Sequence, residues 1–411
     1  MLIDTNNSSV YISEIGMYSC LGDNLSESVL KLRNGYSGLV FADIQGYPTA
    51  LGRVKFNQEN QSNVLKDKGL KLALNVVSQT NAARDIDPNR VAVFWGVGLA
   101  GAHCIEKSFT QYINSKDRAC LSPWTVAYIM PNAVASHIAK TFGIKGGCWT
   151  LSNACASSAM AIGQAYHAIR QGQIDAAIVG GSDAMLIPTI LYAWSRMRVL
   201  TRTTPDLAHQ SCRPLDRKRK GLALAEGAAC LILKSERLNP NMKENSLAEI
   251  SGFGHSCDAS GITSPQAKGQ LNAMRNALLD SNLTVEQIDY VCAHATGTLA
   301  GDPVEMQALK SLWNEKVPHC PVSSLKSAMG HSMAACGAMQ AAVCVSMLRE
   351  QWIAPTLHLD VADDLWSDWM LPSSKGIDNF PVNHILSNSF GFGGLNASLI
   401  FSKIDQKPVL L

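Results

Sequence analysis

The stretch Ser152-Asn-Ala-Cys-Ala-Ser-Ser-Ala159 opens a segment from Cys155 to Gly172 in which small and apolar residues recur at Ala159, Ile162, Tyr166 and Ile169. That spacing predicts an amphipathic helix ended by Gly172, a residue that takes a left-handed C-terminal cap without strain. The β-branched run Ala176 to Gly181 follows at once and reads as a strand. Cys155 therefore stands at a strand-to-helix junction, where unpaired backbone N–H groups and the positive end of the helix dipole favour a thiolate. The small residues around it leave room for a bulky thioester to approach the sulfur.

Outward from this junction, further short apolar runs alternate with helical-period stretches: Val91 to Gly98, Tyr290 to His294, His384 to Ser389 and Ala397 to Phe401. Such alternation predicts a layered α/β body. No low-complexity tract or Pro/Gly/Ser linker divides it. The weakest point is the polar stretch Ser235 to Ser246, which contains Pro240 and places a boundary near residue 250 between halves 1-250 and 251-411.

With 411 residues the chain is long enough for several domains or for one large body of two halves. Charged residues make up 17% of it, against about 25% in an ordinary globular protein, which points to surface buried in an oligomer. A net charge of +2 supplies no global field for nucleic acid or an anionic membrane. The first residues lack a basic start followed by an apolar core, and no segment nears about 18 uninterrupted apolar residues. A cytoplasmic location is expected. The 12 cysteines show no CxxC spacing and read as buried thiols in a reducing compartment.

Three further segments carry chemistry. His294-Ala-Thr-Gly-Thr298 precedes Gly301-Asp-Pro-Val-Glu305, and Ser323-Ser-Leu-Lys-Ser-Ala-Met-Gly-His331 precedes Ala334-Ala-Cys-Gly337. Ser387-Asn-Ser-Phe-Gly-Phe-Gly-Gly-Leu-Asn396 is a glycine-flanked aromatic loop. A single buried histidine is more often a structural residue than a catalytic one, and a single Phe belongs by default to a core. In this order and spacing, however, the segments with Cys155 resemble the β-ketoacyl-carrier-protein synthases of the thiolase superfamily, in particular the elongating Cys-His-His branch. The resemblance covers about Val10 to Phe401.

It implies a duplicated thiolase fold with α/β/α/β/α layers and two mixed five-stranded sheets. It further implies that Cys155 takes an acyl group from the phosphopantetheine of an acyl carrier protein while His294 and His331 hold the malonyl thioester oxygen as CO2 leaves. By the same resemblance, Lys326 is expected to orient the histidines, the backbone N–H groups of Cys155 and Phe392 to form the oxyanion hole, with Phe392 also the gate, Thr296 and Thr298 to bind the pantetheine arm, and Leu99 and Trp194 to line the acyl pocket. No metal or cofactor of the chain's own is implied, because the phosphopantetheine belongs to the carrier.

Carrier proteins are acidic, so a local basic patch is expected at the tunnel mouth. Arg196, Arg198, Arg202, Arg213, Arg217, Lys218, Arg219 and Lys220 crowd one stretch, and Lys66, Lys68 and Lys71 another. Arg202 matches a docking arginine of the family. Family members dimerise through the region matching Ser122 to Thr150, with an identical chain or with a chain-length factor.

The chain departs from the pattern at four places. Gln340 stands where a glutamate is usual, which puts an associated monovalent-ion site in doubt. Lys220 replaces an Asp, Leu395 a Thr, and Ala295 the Gly after the first histidine. These changes point to a specialised ketosynthase, with aryl-polyene or other type II polyketide synthesis as homes. A catalytically silent chain-length-factor-like subunit is the competing reading, and such subunits lack the cysteine. A thiolase would place its nucleophile much earlier in the chain, and an initiating ketosynthase carries Asn at the position of His331.

Overall fold

The computed structural model describes residues 8–55 and 67–404. Ten strands build its frame. The first half supplies β1 (Val10–Tyr18), β2 (Val91–Val97), β3 (Cys148–Leu151), β4 (Ala176–Asp183) and β5 (Gly227–Ser235). The second supplies β6 (Ala248–Cys257), β7 (Tyr290–Cys292), β8 (Val322–Ser323), β9 (His384–Gly391) and β10 (Leu395–Ser402). The strand order is β3-β2-β4-β5-β1 in one half and β8-β7-β9-β10-β6 in the other. Counted within each half this is the same order, 3-2-4-5-1. The pairings match too: β2 is parallel to β3 and β4, and β7 to β8 and β9, whereas the remaining neighbours are antiparallel.

The expected pair of mixed five-stranded sheets is present in this order, with one difference. A short ladder, Val10 to Ile12 against Ala248 to Ile250, joins the two halves edge to edge into a single ten-stranded sheet. Pairing the two edge strands satisfies backbone groups that would otherwise face a buried seam.

Six helices complete the layers: α1 (Lys68–Ser78), α2 (Ala133–Phe142), α3 (Ser157–Arg170), α4 (Ala267–Ser281), α5 (Gly301–Leu312) and α6 (Cys336–Glu350). The largest core cluster contains α3 and α6 together with inward-facing residues of both half-sheets, for example Ala161, Ile162, Val343, Val179 and Leu399. Helices α1 and α2 cover the outer face of the first half-sheet, and α4 and α5 that of the second. The central helices can lie between two sheets because their facing residues are small. A Cβ at Gly337 would sit 2.8 Å from the Ala159 backbone nitrogen, so α6 meets α3 at near backbone contact.

Strand β4 is buried along its whole length, as a strand packed on both faces should be. The described helix around the nucleophile differs from expectation at its start. Cys155 lies in a 3₁₀ turn, Ala154–Ala156, that precedes α3, and Ala154 adopts φ 49°. This left-handed residue turns the chain so that Cys155 faces the seam between the halves.

Candidate active site

Cys155, His294 and His331 converge in that seam from three different connections. Cys155 comes from the turn after β3, His294 from the loop after β7, and His331 from the segment between β8 and α6. All three are buried, with exposures of 4%, 9% and 1%. His331 Nε2 lies 3.0 Å from Cys155 Sγ, and the two imidazole rings stand edge to face with centroids 5.3 Å apart.

Burial, with the positive charge of Lys326 added, holds both histidines well below their ordinary pKa; the ring of His331 lowers His294 further. They are neutral imidazoles, each with one N–H to donate. Cys155 departs from the sequence expectation. Burial raises its pKa, and neither the Lys326 charge nor the Phe392 backbone N–H that bonds the sulfur compensates. The resting group is a thiol, and its proton must leave as substrate arrives.

The supporting contacts explain why the loops sit where they do. Glu305 accepts from the backbone N–H groups of His294 (2.9 Å) and Ala295 (2.7 Å) and from Asn388 Nδ2 (3.1 Å). Burial pushes its carboxyl up to about 7. Asp302 accepts from the N–H groups of Thr296, Gly297 and Leu215. Lys326, 2% exposed, donates to Gln340 Oε1 at 2.7 Å, and Gln340 in turn donates to the Asn388 carbonyl at 2.9 Å. The amide thus keeps the hydrogen bond to Lys326 without bringing a negative charge. Sulfur and ring nitrogens of the Cys-His-His set lie within 4.8 Å of one another, a spacing that could hold a soft metal. The Lys326 charge that acts on all three opposes a dication there.

One cavity joins most of the expected residues. Cys155, Trp194, His294, Thr296, Thr298, His331 and Phe392 line it together with Gln270. The hydroxyls of Thr296 and Thr298 are 3.1 Å apart, and the Phe392 ring stacks on Trp194 at 5.8 Å. Gly391 lets this loop close on the nucleophile, since a Cβ there would lie 2.7 Å from the Asn153 carbonyl oxygen and 3.1 Å from the Cys155 nitrogen. Leu99 is not brought to the cavity. It lies beyond the end of β2 with 47% of its surface exposed.

The basic stretch separates into two populations. Arg213 pairs with Asp216 and Asp360, Arg217 with Asp364, and Arg219 with Asp363. By contrast, Arg196, Arg198, Arg202 and Lys220 line one open depression with Tyr47, and among the described residues none of the four has an ion pair. The Arg202 guanidinium lies 4.6 Å above the Tyr47 ring. In the second cluster Lys68 is bound to buried Glu226 at 2.5 Å, so its charge is neutralised locally; Lys66 lies outside the described residues.

The model of the "Beta-ketoacyl synthase, N-terminal domain" matches residues 16–239, more than half of the chain, and that of the "Beta-ketoacyl synthase, C-terminal domain" matches residues 247–360. The chain belongs to the beta-ketoacyl synthase family. It is 30% identical to the 3-oxoacyl-[acyl-carrier-protein] synthase 2 of Coxiella burnetii, over 96% of this chain and 98% of that one. Among solved structures, a beta-ketoacyl synthase from Burkholderia phymatum superposes with a TM-score of 0.86 at 28% identity, covering 97% of this chain and 100% of its own. A ketosynthase in complex with its chain length factor, from Xenorhabdus doucetiae, gives a TM-score of 0.83 at 25% identity, covering 96% and 98%.

For this beta-ketoacyl synthase, the family motifs led to Cys155, His294, Lys326, His331 and Phe392. Sequence reasoning quoted Asp302 and Glu305 without assigning them work, although their role as anchors of the 294–297 backbone is plain once the loop is folded. Gln270 was missed altogether.

Proposed function

We propose that the chain is an acyltransferase, a 3-oxoacyl-[acyl-carrier-protein] synthase that forms a C–C bond between an acyl group and malonyl-carrier protein, in fatty acid or type II polyketide synthesis. The observation that carries this reading is a buried thiol 3.0 Å from one of two neutral imidazoles, inside a cavity bordered by a glycine-hinged aromatic loop.

In the first half-reaction Cys155 Sγ attacks the carrier thioester. Negative charge builds on the carbonyl oxygen, where the N–H groups of Cys155 and Phe392 receive it. The carrier thiolate leaves and takes the proton given up by Cys155. In the second, malonyl thioester binds and its carboxylate C–C bond breaks, releasing CO2 and leaving the electron pair as an enolate. His294 and His331 donate N–H groups to the enolate oxygen. Burial keeps both rings neutral, and so able to act as donors at neutral pH, and the charge of the positioning residue Lys326 reinforces it. The enolate carbon then attacks the acyl carbonyl on Cys155, and the Cys155 thiolate departs and is reprotonated. The chemistry needs no cofactor of the chain's own.

The partner is an acyl carrier protein, whose acidic surface the unpaired depression of Arg196, Arg198, Arg202 and Lys220 suits. A second ketosynthase-like chain, identical or a chain-length factor, covers the segment 122–150, where Trp124, Val126, Met130 and Trp149 are exposed. The boundary between the halves is placed in the connection before β6, residues 239–247, rather than at residue 250, which lies inside that strand. Among the described residues no helix is long and apolar enough to cross a membrane, and the cytoplasm is the proposed location.

Conversion of malonyl-carrier to acetyl-carrier protein tests the assignment. His331→Ala is expected to slow decarboxylation by about 10²–10³, the usual cost of one oxyanion donor, with a smaller effect on acylation of Cys155. Unchanged decarboxylation in that variant would contradict it.

A further inference from the structure

We infer that Gln270 is a substrate-binding residue of the same cavity, whose side-chain amide accepts a hydrogen bond from an N–H of the carrier's pantetheine arm; the inference rests on the ketosynthase reading above. Gln270 sits in the first turn of α4, is 2% exposed and lines the cavity beside Thr263, Thr296 and Thr298. Its Oε1 is buried and has no hydrogen-bond partner among the described residues. An unpaired buried acceptor destabilises a free protein, and such groups persist where a ligand supplies the missing donor.

The surroundings do not offer an internal donor. Asn396 Nδ2 is committed to Asp258 Oδ1 at 2.7 Å, Ser256 Oγ donates to the Gly269 carbonyl at 2.6 Å, and the Thr296 and Thr298 hydroxyls face each other. The backbone that carries Gln270 is also fixed. A Cβ at Gly269 would fall 1.7 Å from Asp258 Oδ1, so this turn is pressed against the Asp258 side chain.

The chemistry selects the ligand. An orphaned carbonyl oxygen repels a carboxylate and gains nothing from an alkyl chain; it requires an N–H or O–H. The substrate portion that must pass the threonine side of the cavity on every turnover is the pantetheine arm, which carries two amide N–H groups. A hydroxyl on the growing acyl chain is the other possible source of a donor, and the substrates below separate the two.

Gln270→Met keeps the length of the side chain and removes the acceptor. Decarboxylation is measured with malonyl-carrier protein, with malonyl-pantetheine, and with the malonyl thioester of a simple alkyl thiol that has no amide, and acylation of Cys155 is compared for plain and hydroxylated acyl-carrier proteins. The expected result is a KM raised about 10-fold for the first two substrates, the range of one neutral hydrogen bond, with kcat nearly unchanged and no effect on the amide-free thioester. The thermal midpoint of the free variant should equal or exceed that of the parent, because a buried unpaired acceptor is gone. An equal change for all three thioesters, or none, overturns the inference, as does a loss confined to hydroxylated acyl primers. Failure of the parent chain to decarboxylate any of them would instead sink the ketosynthase reading.

Discussion

The two central helices begin in the same way and do different work. Helix α3 is entered through the 3₁₀ turn Ala154–Ala156 and α6 through the 3₁₀ turn Met333–Ala335, and the first residue of each turn has φ 49°. Each turn follows the third strand of its half. Aligned on these turns, Cys155 corresponds to Ala334. What differs is the chain between strand and turn. In the first half only Ser152 and Asn153 intervene between β3 and the turn. In the second, residues 324–332 intervene between β8 and the turn, and this longer connection holds Lys326 and His331. A duplicated frame thus presents the thiol from one half and both imidazoles from the other, His331 from the longer connection and His294 from the loop after β7.

The largest effect on this pairing should come from separating the helices. Gly337→Ala forces a methyl group to within 2.9 Å of the Ala159 side chain and 2.8 Å of its nitrogen. Neither neighbour is a flexible chain end, so a loss of about 1–3 kcal/mol in chemical denaturation is expected. An unchanged midpoint would break the claim that the halves meet at backbone contact.

How much of this was legible in the sequence follows from the kind of signal involved. Cys155, His294, Lys326 and His331 stand in short motifs with fixed neighbours, and the alternation of apolar runs with helical stretches carried the α/β class. The duplication itself was visible only through the family, because the two halves share strand order and turn geometry, which leave little trace in residue identity. The left-handed Ala154 carried no signal, since φ > 0 is signalled by Gly or Asn and here is imposed by the seam. Leu99 was expected in the acyl pocket from its place in Gly96-Val-Gly-Leu-Ala-Gly101, but the chain beyond β2 turns it outward. Gln340 was read as a lost charge; the fold reveals that its amide still serves Lys326. Gln270 lies outside any motif, and only a cavity with an unpaired atom at its wall exposes it.

A smaller effect distinguishes the halves by pH. The second half carries both imidazoles with pKa lowered by burial, so the unfolded chain binds more protons than the folded one below about pH 6.5. Stability from these groups is complete above that pH and is lost as pH falls through it. Burial raises Asp183 and Glu305 to about 7, which acts with the opposite sign, costing stability as pH rises from the ordinary carboxylate range. A His294→Asn/His331→Asn double variant separates the two. Between pH 7 and 5.5 the parent should lose stability relative to this variant in urea titrations, and a constant difference would contradict neutral buried histidines.

The smallest effect probes the turn before the nucleophile. Ala154→Gly relieves a left-handed residue at a strain of about 1–2 kcal/mol, offset by the greater freedom of Gly in the unfolded chain. It is expected to raise stability in urea titrations by less than about 1 kcal/mol, and a loss of stability would contradict a strained turn; Met333→Gly is no equivalent test, because it also deletes a buried core side chain.

The division of labour between the halves is tested most directly by intact-protein mass spectrometry of the chain after exposure to a panel of acyl-carrier proteins, followed by malonyl-carrier protein. The expected result is a mass gain that requires Cys155, is absent in Cys155→Ala, and disappears as a β-ketoacyl-carrier protein forms. No adduct from any acyl-carrier protein, with candidate partner subunits supplied, would contradict it and leave the chain as a silent subunit.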